Sequence, residues 1–206
     1  MLFRSTISKI NRGLISGDRD KYFSKTKESE NHVEILTGSD ILRYNYVSPK
    51  EYILFEKPKT AGGSWDKNVH FADFKICIRQ IGNEPIATLI DKPFAVTGNI
   101  FTVINDNLNL LKYELAIINS SLIKYFWRIN FHDFKTTFPQ VTINSLHLIP
   151  IKIDEDYIEE IISITDIILD RIENPDILSK LENQIDQLVY KLYDLTEEEI
   201  KIVEGV

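Results

Sequence analysis

Two triplets in this chain, Asp73-Phe74-Lys75 and Asp133-Phe134-Lys135, carry the residue types for metal-assisted phosphodiester cleavage. A carboxylate can hold a divalent cation while a lysine one residue further polarises a phosphate. Asp106, upstream of the second triplet, could supply another carboxylate. The pattern is short, however, and recurs by chance in a chain that is 27% charged. Asp106 also lies in a polar turn, Asn105-Asp106-Asn107. Charged strand ends and surface loops account for both triplets, so a small metal-dependent nuclease is the weaker reading. The wider echo between Phe71–Lys75 and Phe131–Lys135 has no similarity around it and reads as coincidence.

Other catalytic constellations are missing. His32, His70, His132 and His147 are far apart and share no ligand spacing with Cys77, so they read as surface or satisfied polar residues. Cys77 sits in the apolar run FKICIRQI and reads as a buried strand residue rather than a nucleophile. A single cysteine forms no internal disulfide, which points to a reduced, cytoplasmic setting. There is no phosphate-binding Gly-Lys-Ser loop. Nor is there a glycine-rich turn followed by the Asn-Pro-Pro-aromatic loop that would grip a flipped base. Gly62-Gly63 is an isolated pair, and Asn174-Pro175-Asp176 falls between helical patterns. No catalytic residue and no metal ligand is expected in this chain.

A better class is polar and basic side chains beside glycine. Lys57, Lys59, Ser64 and Trp65 surround Gly62-Gly63, and Arg79-Gln80 closes a strand ahead of Gly82-Asn83. Arg and Gln carry the paired groups that match guanine and adenine edges in the major groove. Lys124, Arg128, His132, Lys135 and Gln140 alternate with Tyr125, Phe126, Trp127 and Phe131. There the cations can meet phosphates while the aromatics anchor a loop. Arg79 and Gln80 are the first candidates for base reading. Lys57, Lys59, Trp65, Lys124, Arg128 and Lys135 are candidates for backbone contact, with Ser64, Asn83, His132 and Gln140 completing the set. Taken singly, each of these also fits a solvated surface residue.

The net charge of −7 looks unfavourable for such a partner until it is divided. Residues 1–152 hold 20 Lys and Arg against 15 Asp and Glu, whereas residues 153–206 hold 4 against 16. Phosphate binding needs local positive surface, which a mildly basic body with an acidic tail can offer. The change in charge divides the chain into a body, 1–152, and a helical region, 153–206. No apolar run approaches the roughly 18 residues of a membrane span.

These residues need a scaffold of strands and helices to position them. Tyr52–Phe55, Phe74–Ile78, Ile86–Ile90 and Asn99–Ile104 read as strands separated by Gly, Asn and Pro turns. Leu111, Leu115, Ile118, Leu122 and Phe126 share one helical face, predicting a helix from Leu110 to Trp127. After Lys152, Ile158 to Ile172 marks an amphipathic helix that Asn174-Pro175 interrupts. A second helix carries Leu178 to Leu192, and the capping box Thr196-Glu197-Glu198-Glu199 starts a last helix, Glu197 to Glu204. The fold class is therefore α+β, with a mixed, largely antiparallel curved sheet and helices, followed by a C-terminal helical hairpin. The hairpin's apolar stripes would pack on the body or on a protein partner, which keeps a protein-interaction module open.

Several blocks then resemble one known family in order. They are Gly13-Leu14-Ile15-Ser16-Gly17 with Tyr22-Phe23, Gly38-Ser39-Asp40-Ile41-Leu42-Arg43-Tyr44, and Lys75-Ile76-Cys77-Ile78-Arg79-Gln80 with Ile86-Ala87-Thr88. Leu115 to Ser121, Leu148-Ile149-Pro150-Ile151 and Ile185 to Ile200 follow. Together they resemble the TaqI-like specificity domain of type II, type IIG-like, restriction-modification methyltransferases. Ser16 stands where the usual pattern has threonine, which keeps a small hydroxyl. The resemblance implies a module that recognises a double-stranded DNA sequence. It further implies a methyltransferase domain, and in some enzymes a nuclease, in cis or in trans. S-adenosylmethionine, and Mg for a nuclease, would belong to that associated domain. These 206 residues hold no such domain, which leaves either an excised piece or a free-standing subunit like the type I specificity subunits.

Overall fold

The structure is a computed structural model and describes residues 2–3, 8–131, 139–170, 172 and 174–205. Along the chain run β1 (Leu2–Phe3), β2 (Lys9–Arg12), α1 (Arg19–Tyr22), β3 (Phe23–Ser24), β4 (His32–Leu36), β5 (Ile41–Leu42), β6 (Asn45–Tyr46) and β7 (Glu51–Leu54). They are followed by α2 (Lys67–His70), β8 (Lys75–Arg79), β9 (Ala87–Ile90), β10 (Ala95–Val96), β11 (Ile100–Ile104), α3 (Leu108–Asn119) and α4 (Ser121–Phe131). Last come α5 (Ile143–His147), β12 (Pro150–Ile151), α6 (Glu155–Leu169), α7 (Pro175–Leu192) and α8 (Glu197–Glu204).

The expected α+β class with mixed, largely antiparallel pairing holds. One four-stranded sheet has the order β2-β11-β8-β9, all antiparallel. The other has the order β10-β4-β7-β3, and only β10 with β4 is parallel. β8 explains why its sequence is a continuous apolar run instead of an alternation: Lys75 to Ile78 are all buried. Ile76 and Ile78 face the helices with Phe101 and Val103. Cys77 faces the opposite way, onto Leu36, Ile90, Val96 and Ile100. A strand covered on both faces has no position left for a solvated side chain.

The two sheets are locked together where Gly13-Leu14-Ile15 crosses between them. Leu14 N–H donates to Val96 O at 2.9 Å, and Ile15 N–H donates to Gly62 O at 2.9 Å. A Cβ on Gly13 would sit 2.2 Å from Thr97 O, and one on Gly63 would sit 1.9 Å from Gly13 O. Only backbones without side chains pass this closely. The Gly62-Gly63 pair is thus a crossing point of main chains.

The helix predicted from Leu110 to Trp127 is two helices. Ser120 adopts φ −67°, ψ 154°, ending α3, and its hydroxyl donates to Ile117 O at 2.7 Å. α4 restarts at Ser121, whose N–H and Oγ–H both donate to the Asp186 carboxylate of α7, at 2.8 and 2.6 Å. Ser120 Oγ also accepts from Ile123 N–H at 3.3 Å, so α4 has a local cap as well as one from 65 residues away, and apolar periodicity shows neither. The C-terminal helices follow their predicted positions closely. Asn174 caps α7 with Pro175 in its first turn, and Thr196 with Glu199 forms the capping box of α8. Ile161, Ile168, Ile185, Leu188 and Val189 join the same core as Ile76 and Leu115, so the helical region packs on the body.

Candidate nucleic-acid interface

The signature blocks turn most of their polar groups inward. Asp40 accepts from the N–H and Oγ–H of Thr37, closing the turn at 38–40. Arg43 reaches α7, where its Nε lies 2.7 Å from Glu182 Oε1. Lys75 is fully buried and donates to His70 O at 2.7 Å and Lys92 O at 3.2 Å, and burial lowers its pKa. The first Asp-x-Lys triplet therefore has no lysine to offer a phosphate. Asp73 and Asp106 do line one groove, with Lys9, Asn11 and Lys67. Among the described residues, however, no three His, Cys, Asp or Glu side chains stand where they could share a metal ion. Burial also pushes the Cys77 thiol up to about 12, which suits the expected inert strand residue. No helix among the described residues is long and apolar enough to cross a membrane.

Two arginines stand at the end of β2, β8 and β11 opposite that groove. Register places Arg12 beside Phe101, and Phe101 beside Ile78, so Arg12 and Arg79 emerge at the same end of the sheet. Arg12 Nε donates to Gly98 O at 2.7 Å, and its Nη2 lies 3.5 Å from Gln80 Oε1. Arg79 Nε donates to Ile81 O at 2.7 Å. Neither arginine has a carboxylate partner among the described residues.

The turn that carries Gln80 and Asn83 is held on several sides. Gln80 N–H donates to Asn99 O at 2.9 Å, Val141 N–H to Gln80 O at 2.7 Å, and Gly82 N–H to Pro139 O at 3.1 Å. Ile81 and Gln140 form an antiparallel bridge, bringing Gln140 next to Arg79, Gln80 and Asn83 from 60 residues along the chain. Lys124, on α4, joins the edge of this group through Glu84, 3.4 Å away. Arg128 lies one helical turn further along α4, with its guanidinium 5.6 Å from the Tyr125 ring centroid.

The second group of candidates surrounds the glycine crossing. Lys57 and Lys59 are exposed. Trp65 uses its indole N–H on Gly62 O at 3.2 Å and packs its ring on Phe55, with centroids 5.5 Å apart. Ser64 O accepts from His70 Nε2 at 2.8 Å, and Ser64 N–H donates to Arg12 O at 2.9 Å. Arg12 is therefore the joint between the two groups. His132 and Lys135, together with the whole Asp133-Phe134-Lys135 triplet, lie outside the described residues.

Sequence reasoning passed over four residues of this surface. Arg12, Ser39 and Asn99 each adjoin a glycine, the same signal that had selected the others. Ile81, half-exposed at 45%, carries no such signal because it is apolar. Ser39, Arg79, Ile81 and Asn99 line one open cleft with Gly38. Buried glycine at 38 suits this place, since a Cβ there would meet Asn99 Nδ2 at 3.2 Å.

Comparison with known proteins adds two findings. A sequence model described as the TaqI-like C-terminal specificity domain matches residues 33–151. Among solved structures, the chain is similar to the type IIL restriction-modification enzyme MmeI, determined in complex with DNA. The TM-score is 0.68 at 10% identity, over 96% of this chain and 34% of that one. The chain thus spans about a third of that protein's length, and at this identity the likeness is one of fold. No curated protein matches the chain.

Proposed function

This chain belongs to the TaqI-like C-terminal specificity domain family, and from that premise we propose that it recognises a double-stranded DNA sequence for a restriction-modification enzyme. The observation that carries the reading is the convergence of Arg79, Gln80, Asn83 and Gln140 with Arg12 on one braced sheet end. The sequence-reading side chains of the major groove are gathered there on a backbone that cannot drift. Arg79 and Gln80 read base edges. Lys57, Lys59, Lys124 and Arg128 hold phosphates and set the register of the duplex.

The chemistry belongs to an associated domain, in cis or in trans. An S-adenosylmethionine-dependent methyltransferase would flip and methylate a base in duplex that this module has positioned. A nuclease using Mg could accompany it. The site of action is the cytoplasm. In this arrangement the acidic outer faces of α6, α7 and α8 repel the duplex and leave the basic body as the face of approach.

Selection from a random-sequence duplex pool at two salt concentrations tests the proposal. One short motif should be enriched, and its affinity should fall as salt rises, because phosphate contacts release counterions. Failure to enrich any motif, both alone and with a methyltransferase partner, would overturn it.

A further inference from the structure

Ile81 is a branched apolar side chain held out in water by a backbone with no freedom to withdraw it. Its flanks are fixed by the bonds from Arg79 N–H to Ile86 O, Gln80 N–H to Asn99 O and Gly82 N–H to Pro139 O, at 3.0, 2.9 and 3.1 Å. Its own carbonyl accepts from Arg79 Nε. A single exposed isoleucine is ordinary on a protein surface. What sets this one apart is its company in the cleft with Ser39, Arg79 and Asn99.

The polar groups of that cleft are mostly donors. Arg79 has spent Nε on Ile81 O, so its terminal guanidinium nitrogens are what it has left to offer. Asn99 Oδ1 already accepts from Gly38 N–H at 3.1 Å and from the Thr97 hydroxyl, which leaves the Nδ2 donors. Ser39 Oγ donates to Thr37 Oγ1 at 2.9 Å, since the Thr37 hydroxyl proton goes to Asp40, and so keeps only acceptor capacity in the cleft. The cleft therefore combines the Arg79 and Asn99 donors with the methyl-bearing side chain of Ile81.

Resting on the DNA reading above, we infer that this cleft takes the major-groove edge of thymine. Thymine alone presents an acceptor, O4, beside a methyl group. Cytosine places an amino donor in the groove, which would confront the Arg79 and Asn99 donors, and adenine sets an amino donor instead of a methyl beside its N7 acceptor. Guanine offers two acceptors and no methyl for Ile81. Ile81 is thus a specificity-determining residue that acts by apolar contact, next to a guanidinium that acts by hydrogen bonding.

The test replaces each thymine of the enriched motif in turn by deoxyuridine, which deletes only the 5-methyl group. Wild-type protein should lose about fourfold in affinity at one position, the size expected for one buried methyl. Ile81→Ala should still bind the motif but treat thymine and deoxyuridine there alike. Unchanged thermal unfolding of the variant would show that the loss is local, since the side chain is half in solvent. A motif indifferent to deoxyuridine everywhere, or an Ile81→Ala variant that still discriminates, would overturn the inference and leave DNA recognition standing. A pool that yields no motif would overturn both.

Discussion

Asn119 pairs with both main-chain groups of Ala87: its Oδ1 accepts from Ala87 N–H at 3.1 Å, and its Nδ2 donates to Ala87 O at 3.0 Å. A side chain of α3 thereby acts as an extra strand along β9, the strand that follows the turn carrying Gln80 and Asn83. Asn119→Ala should cost about 1–3 kcal/mol, the penalty for a buried donor left unpaired. Urea unfolding would measure it, and a variant as stable as wild type would show that the pairing is replaceable.

Asp186 caps α4 from another helix, and burial raises its pKa above the ordinary 3.8. A raised carboxyl binds its proton more tightly in the folded state, so its contribution declines as pH rises through 3.8 towards the folded value. Asp186→Asn keeps an acceptor for Ser121 N–H and carries no buried charge. It should equal or exceed wild-type stability at neutral pH. Asp186→Ala should lose about 0.5–2 kcal/mol, the usual cost of a missing cap. Melting the two variants side by side checks the ordering, which would be reversed if the charge itself were stabilising.

His70 should make stability fall in mild acid. Its Nε2–H donates to Ser64 O at 2.8 Å, while Nδ1 accepts from Val96 N–H at 3.1 Å. Burial lowers its pKa below 6.5. The neutral ring's contribution is complete above pH 6.5 and is lost as pH drops from there to the folded pKa, because the unfolded chain takes up the proton first. His70→Gln should be less stable throughout but lack this slope. An identical slope in the variant would assign it to other groups.

Arg79→Ala should lose about 1–3 kcal/mol of discrimination at one base pair while leaving non-specific binding nearly intact. The double change Lys57→Ala, Lys59→Ala should act the other way. It should weaken binding to all sequences alike and reduce the slope of log K against log salt by roughly one for each phosphate contact removed. Salt titrations on the motif and on a scrambled duplex separate the two behaviours. Equal effects on both duplexes would remove Arg79 from base reading.

Much of the frame was legible because it is written in local signals. Thr196 and Glu199 satisfy each other's orphan groups within one turn, so α8 could be placed at Glu197–Glu204 from sequence alone. The strands at Glu51–Leu54, Lys75–Arg79 and Ile100–Ile104 lie within about a residue of their apolar runs. The break at Ser120 escapes a sequence reading because the apolar periodicity runs straight through it, although Ser120 caps α4 locally through Ile123 N–H; the second acceptor, Asp186, comes from a helix that sequence places far away. The triplet Asp73-Phe74-Lys75 reads as a charged strand end rather than a metal site, yet Lys75 is buried: the second sheet covers the other face of β8, and local sequence does not show that covering.

The sequence by itself determined the α+β class, the division of charge between body and tail, and the family blocks that mark a specificity domain. Periodicity, capping and turn chemistry act over a few residues, so they survive without coordinates. Tertiary structure alone decided which of two similar arginines is taken up by a carboxylate. Arg43 and Arg79 both follow an apolar strand in a family block, yet Arg43 is drawn to Glu182 of α7 while Arg79 keeps its terminal nitrogens at the cleft. The difference is whether folding brings a carboxylate to the side chain, and that depends on contacts between segments more than a hundred residues apart.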